Sequence, residues 1–225
     1  MCSSDLPMTA DQARPGARSL LPALGIVAGF VVLTGLTMWR HEMWRDELQA
    51  WQIARASGSF SDLLHHARYE GHPVGWFAVL WLTSKVSGAP AAMQVVHLLI
   101  ATASVTLVAL RAPFTWLQKA LLAAGYFTVF EYGVISRNYA LGVLFLVLAC
   151  IGASAPAPRW PLVGLALGAL ALTSAFGVIL AVALAAGIAV DRLIVRNEVT
   201  TTTWRDRIWA VAFLTGGVML AALTA

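Results

Sequence analysis

PLVGLALGALALTSAFGVILAVALAAGIAV, residues Pro161–Val190, is the stretch whose reading decides the fold. None of its 30 residues is charged, and Thr173 and Ser174 carry its only hydroxyls. As one helix it would run about 45 Å, against a bilayer core of about 30 Å. Thr173 and Ser174, with Gly177 just beyond, offer a break into two shorter helices. Charge chooses between the readings. With the break, Arg14 and Arg18, then Arg111 and Lys119, then Arg159, then Arg192, Arg196, Arg205 and Arg207 all fall on one side, as the positive-inside rule requires. Without it, the last four change sides. Two helices are therefore expected here.

The same reading extends along the chain. Apolar runs occur at Leu20–Met38, Pro90–Leu110, Trp116–Ile135, Ala140–Ser154, Pro161–Leu172, Phe176–Val190 and Ile208–Ala225. They predict an all-α, polytopic transmembrane helix bundle of about seven spans, occupying residues 18–225. Hydrophobic residues make up 59% of the chain and charged ones 12%, with a mean hydropathy of +0.75, which excludes an ordinary soluble domain. The net charge of +4 is spread between apolar runs and is not a nucleic-acid signature. Cys2 and Cys150 sit in a tail and in an apolar run, so they suggest no disulfide framework or metal site.

Residues 1–17 read as a disordered tail. Leu20–Met38 is too long for a signal-peptide core and is expected to remain as an anchor. The last run reaches Ala225 with no loop after it, so the module is expected to continue beyond that residue. Arginine far outnumbers lysine and alanine is abundant, which suggests a GC-rich bacterium and an inner-membrane setting.

The segment 40–89 is expected outside, resting on the membrane. Val74–Val86 spans only about 20 Å as a helix, too short to cross. Trp44, Leu48 and Trp51 fall at i, i+4, i+7 and predict one amphipathic helical face. Ser59 and Asp62 read as a capping box, followed by Phe60, Leu63, Leu64 and Ala67 on one face. Gly71 is expected to end that helix and Pro73 to open the next. These juxtamembrane helices are expected to float apolar side down, with Trp44, Trp76 and Trp81 as interface anchors.

This topology gathers the unusual polar residues in one compartment: Asp46, Glu47, His65, His66, His72, Glu131, Arg137 and Tyr139. A carboxylate pair just after a span suits general-base work, although Asp46 and Glu47 could equally complement a helix N-terminus. Arg137 suits a phosphate, or alternatively pairs with Glu131 or snorkels. His65 and His66, being adjacent, point apart, which favours a solvated face over a metal site.

The order of a first span, Trp44-Arg45-Asp46-Glu47 with Trp51 following, and then Gly71-His72-Pro73 resembles the GT-C membrane glycosyltransferases. That superfamily includes the protein O-mannosyltransferases and the lipid A aminoarabinose transferases, related to glycosyltransferase family 39. Ser136-Arg137-Asn138-Tyr139-Ala140-Leu141 is similar to the family's Ala-Arg-Pro-Asp or Ala-Arg-Pro-Tyr element. Leu172-Thr173-Ser174-Ala175-Phe176-Gly177 resembles its helical-hairpin turn. Val74 stands where the family has a second proline, and Tyr139 where many members have Asp. The resemblance implies transfer of a sugar from a polyprenyl-phosphate donor to a glycan, lipid or protein acceptor outside the membrane. It implies Asp46 as general base with Glu47 assisting, or Asp46 as ligand of a divalent metal. Arg137, His72, Tyr139 and Trp44 would bind substrate. A lipid or small-solute transporter is the alternative, disfavoured because ionisable residues avoid the span centres. A non-catalytic membrane protein would leave the shared face of the Asp-Glu, His-Pro and Arg-Asn-Tyr motifs unexplained.

Overall fold

The computed structural model describes residues 17–155, 157–191 and 204–224. Among these the chain is helical, with no strand. The helices are α1 (Ala17–Trp39), α2 (Arg45–Ala56), α3 (Phe60–Ala67), α4 (Gly75–Val86), α5 (Ala91–Arg111) and α6 (Trp116–Ala124). A π-helical segment (Phe127–Val134) then leads to α7 (Tyr139–Ser154), α8 (Trp160–Ala171), α9 (Ala175–Val190) and α10 (Trp204–Thr224). The expected tail lies outside the described residues except for Ala17, which already belongs to α1. Arg14, Arg192 and Arg196, on which part of the charge argument rests, also lie outside them.

Among the described residues, three helices are long and apolar enough to cross a membrane: Leu20–Trp39, Ala91–Arg111 and Arg207–Thr224. A fourth crossing arises if Phe127–Val134 and Tyr139–Ser154, which meet at a 118° bend, form one span. Trp160–Ala171 and Ala175–Val190 are apolar but shorter. The expected Trp116–Ile135 run is not one uninterrupted α-helix, because α6 stops at Ala124 and the chain bends at Gly125 before the π-helical segment. Gly133 lets that segment press on α1, since a Cβ there would lie 2.8 Å from Thr34 Cγ2.

The break expected within Pro161–Val190 is present. Thr173 Oγ1 donates to Leu170 O at 2.7 Å, and Ser174 Oγ accepts the Gly177 N–H at 2.9 Å as the cap of α9. Both hydroxyls compete with the helical ladder, and a serine N-cap satisfies a backbone donor that would otherwise be orphaned. Small residues then hold α8 against α10. A Cβ on Gly168 would sit 2.4 Å from Phe213 O, and one on Gly164 would sit 2.3 Å from Ala210 O. Backbones this close need glycine, a packing habit of helices in lipid.

The segment 40–89 builds a core of its own. Trp51, Leu63, Trp76, Phe77 and Leu80 are buried together with Met93 of α5. The buried face of α2 is Glu47, Trp51 and Ala54, not Trp44, Leu48 and Trp51, and Trp44 is 48% exposed. Trp76 is likewise a core residue, 4% exposed and edge-to-face with His97, and not an interface anchor. The Ser59–Asp62 capping box forms as expected, at 3.0 and 3.1 Å. The helix it starts ends at Ala67, earlier than expected. Gly71 adopts φ +70° in the turn beyond it, and Pro73 precedes α4 without entering it.

Four hydrogen bonds gather distant segments at one end of the bundle. Gly75 N donates to Leu172 O (3.0 Å) and Val74 N to Thr224 Oγ1 (3.3 Å). Asn138 Nδ2 donates to Thr173 O (2.7 Å) and Ser136 N to Glu47 Oε1 (2.7 Å). The turn between α5 and α6 lies one length of α5 away, about 31 Å.

Candidate active site at the loop end of the bundle

A cleft of about 230 Å³ opens where these segments meet. Asp46, Glu70, His72, Trp76, Ser136 and Arg137 line it, with Gln49 and Asn138 beside them. Asp46 comes from the first turn of α2, where a carboxylate also complements the positive helix end. Arg137 comes from the 118° corner between the π-helical segment and α7. Arg137 Nη1 lies 3.4 Å from Asp46 Oδ2, with side-chain exposures of 26% and 60%. The guanidinium also lies over the Tyr139 ring, 5.5 Å from its centroid. An arginine held at one edge by a carboxylate and at one face by a ring keeps further N–H donors for an anion.

Glu47 lies beneath this pair and is fully buried. Its Oε2 accepts the Trp44 N–H at 2.7 Å and lies 2.8 Å from His41 Nε2. Its Oε1 accepts the Ser136 N–H at 2.7 Å, 89 residues away in sequence. Three partners surround one carboxylate, which closes the start of α2 and ties it to the Arg137 turn.

His72 is half-buried at the cleft wall. Burial pushes its pKa below the ordinary 6.5, and the nearby Arg137 guanidinium pushes it in the same direction. At neutral pH it therefore presents a neutral ring, able to donate from one nitrogen and accept at the other.

Of the residues singled out from sequence, Asp46, Arg137 and His72 share the cleft. Tyr139 supports Arg137 from the side. Trp44 lines a separate groove with Leu33, Leu36, Arg40, His41 and Phe130. Glu131 does not pair with Arg137; it accepts from Tyr126 Oη at 3.1 Å. His66 Nδ1 lies 3.1 Å from Ser57 Oγ, and the His65 and His66 rings are set at 78° to each other. Gln49, Glu70, Ser136 and Asn138 were missed. Gln49 lies three residues after Asp46 on α2 and was accessible to helical periodicity. Glu70 flanks the Gly71-His72-Pro73 motif, while Ser136 and Asn138 lie inside the Ser136–Leu141 motif, of which only Arg137 and Tyr139 were given a role.

No group of three or more His, Cys, Asp or Glu side chains is set to hold a metal ion among the described residues. Glu47 is saturated, and Glu70 Oε2 accepts from Gln49 Nε2 at 2.7 Å. The divalent ion considered from sequence finds no ready donor set among these residues.

A scan against protein-family models finds no match for this chain, and searches of curated proteins and of solved structures find none either.

Proposed function

We propose that the protein is a membrane glycosyltransferase of the GT-C type, moving a sugar from a polyprenyl-phosphate donor to an acceptor hydroxyl. The observation that carries the reading is the Asp46–Arg137 pair at the loop end of an apolar helical bundle. One partner is a base and the other an anion-binding group, and the cleft that both line is the size of a small ligand. The four hydrogen bonds that bring the α2 start, the Arg137 turn, the α8–α9 turn and the α10 end together support a seven-crossing topology. In that topology the cleft faces outward from a bacterial inner membrane.

The acceptor hydroxyl attacks the anomeric carbon from the face opposite the phosphate. Its oxygen forms the new bond to carbon while its proton passes to Asp46. The bond from carbon to the phosphate oxygen breaks, and the electron pair leaves with the lipid phosphate. Arg137 stabilises that charge, and an arriving phosphate competes with Asp46 for the guanidinium. The exchange frees the Asp46 carboxylate at the moment the donor is in place. His72, neutral at the cleft wall, hydrogen-bonds hydroxyl groups without adding charge. Glu47 keeps the two reacting segments in register.

The test is transfer from a lipid-linked sugar by the full-length protein reconstituted in vesicles. Asp46→Asn is expected to lower turnover by about 10²–10⁴-fold, the usual worth of a positioned base. Undiminished turnover in that variant would remove Asp46 as the base and the reading with it.

A further inference from the structure

A second cavity, of about 190 Å³, lies between α1, α5, α6, the π-helical segment and α7, away from the cleft. Its walls are almost wholly apolar: Ile26, Val105, Val108, Phe114, Leu122 and Val143 are among them. One cation lines it. Lys119 is 7% exposed, its Nζ donates to Ala109 O at 2.8 Å, and it lies 4.5 Å from the Trp116 ring centroid. Among the described residues no carboxylate forms an ion pair with it. From Gly71 to Phe130 the chain contains no Asp or Glu, and neither α1 nor α7 contains one. Glu131, the nearest acid along the chain, bonds to Tyr126.

A buried ammonium held only by a carbonyl and a ring is short of negative charge, and removing charge from water without a counter-ion is costly. The Ala109 carbonyl is one of the last four of α5, so part of Lys119's role is to satisfy a helix end. That bond uses one of three ammonium donors. It explains neither the apolar cavity beside the lysine nor the scarcity of acids in the surrounding helices, where Glu131 is the one carboxylate and is bonded to Tyr126. Arg111 ends α5 close by and adds a second positive charge. An apolar slot with a cation in its wall complements a chain bearing an acidic head. Basic pockets between transmembrane helices bind anionic lipid headgroups on this principle.

We infer that this cavity is a binding site for an anionic phospholipid, with an acyl chain among α1, α5 and α6 and the phosphate at Lys119. The site is independent of the sugar-transfer reading, at the other end of α5 from the cleft. Its occupant comes from the bilayer leaflet that the α5–α6 turn faces.

Native mass spectrometry and thermal melting of the full-length protein in neutral detergent test the site. The probes are phosphatidylglycerol, phosphatidylcholine of the same chains, and inorganic phosphate. Phosphatidylglycerol is expected to bind about fivefold tighter than phosphatidylcholine, the worth of one near-surface cation, and to raise the melting temperature. Lys119→Gln should abolish that preference. Val108→Phe keeps the lysine and fills the slot; it should lower phosphatidylglycerol binding and serves if Lys119→Gln does not fold. Equal binding of the two lipids, an unchanged preference in either variant, or equal stabilisation by inorganic phosphate would each overturn the site.

Discussion

At the scale of single residues, the buried carboxylate of Glu47 makes the sharpest claim. Three partners converge on it, and a glutamine would present an NH₂ where an acceptor is required. Glu47→Gln should therefore destabilise the protein by about 1–3 kcal/mol, measured as a lowered melting temperature in detergent. His72 makes a claim about pH. Its folded pKa lies below the unfolded value of 6.5, so the unfolded chain binds more protons just beneath that value. Stability should be level above about pH 6.5 and fall as the pH drops towards the folded pKa. His72→Gln should flatten this limb of the profile, and an unaltered limb would show that another group causes it. The chemical types at the cleft were legible in sequence: Asp46 and Arg137 stand out because charge is scarce in an apolar chain. That Asp46 lines the cleft while Glu47 is buried was not. Adjacent residues on a helix point about 100° apart, and only the packing of α2 decides which one turns inward.

At the scale of elements, the contact between α8 and α10 depends on missing side chains. Gly168→Leu must displace the α10 backbone, because even a Cβ would fall 2.4 Å from Phe213 O. We expect a loss of about 1–3 kcal/mol, the usual cost of overpacking, visible as lower thermal stability. Gly216→Ala, which meets nothing within 4 Å, should be close to neutral. The break between α8 and α9 was legible because hydroxyls and a nearby glycine interrupt an otherwise uniform run. The buried face of α2 was not. Periodicity favoured the tryptophans, but Glu47 found enough hydrogen-bond donors to be buried and rotated the helix accordingly. The kink between α6 and the π-helical segment also escaped the sequence, since only Gly125 marks it.

At the scale of the whole molecule, the gathering of segments 40–89, 135–138 and 172–174 at one end makes a topological claim. In a background lacking Cys2 and Cys150, a cysteine at Tyr69 and one at Phe114 should label differently with a membrane-impermeant maleimide on intact cells. Tyr69 is 85% exposed at the cleft end, and Phe114 is 47% exposed in the α5–α6 turn. Equal labelling of the two would contradict an α5 that crosses the bilayer. The sequence by itself determined an all-helical, strongly apolar chain and the order of most of its helices, because hydrophobic length and hydroxyl breaks are local properties. Only the tertiary structure decided that Asp46 meets Arg137, that Glu47 lies sealed beneath them and that Lys119 borders an apolar cavity. Those outcomes depend on the rotation of each helix about its axis. That rotation is set by packing against distant partners, which no local pattern encodes.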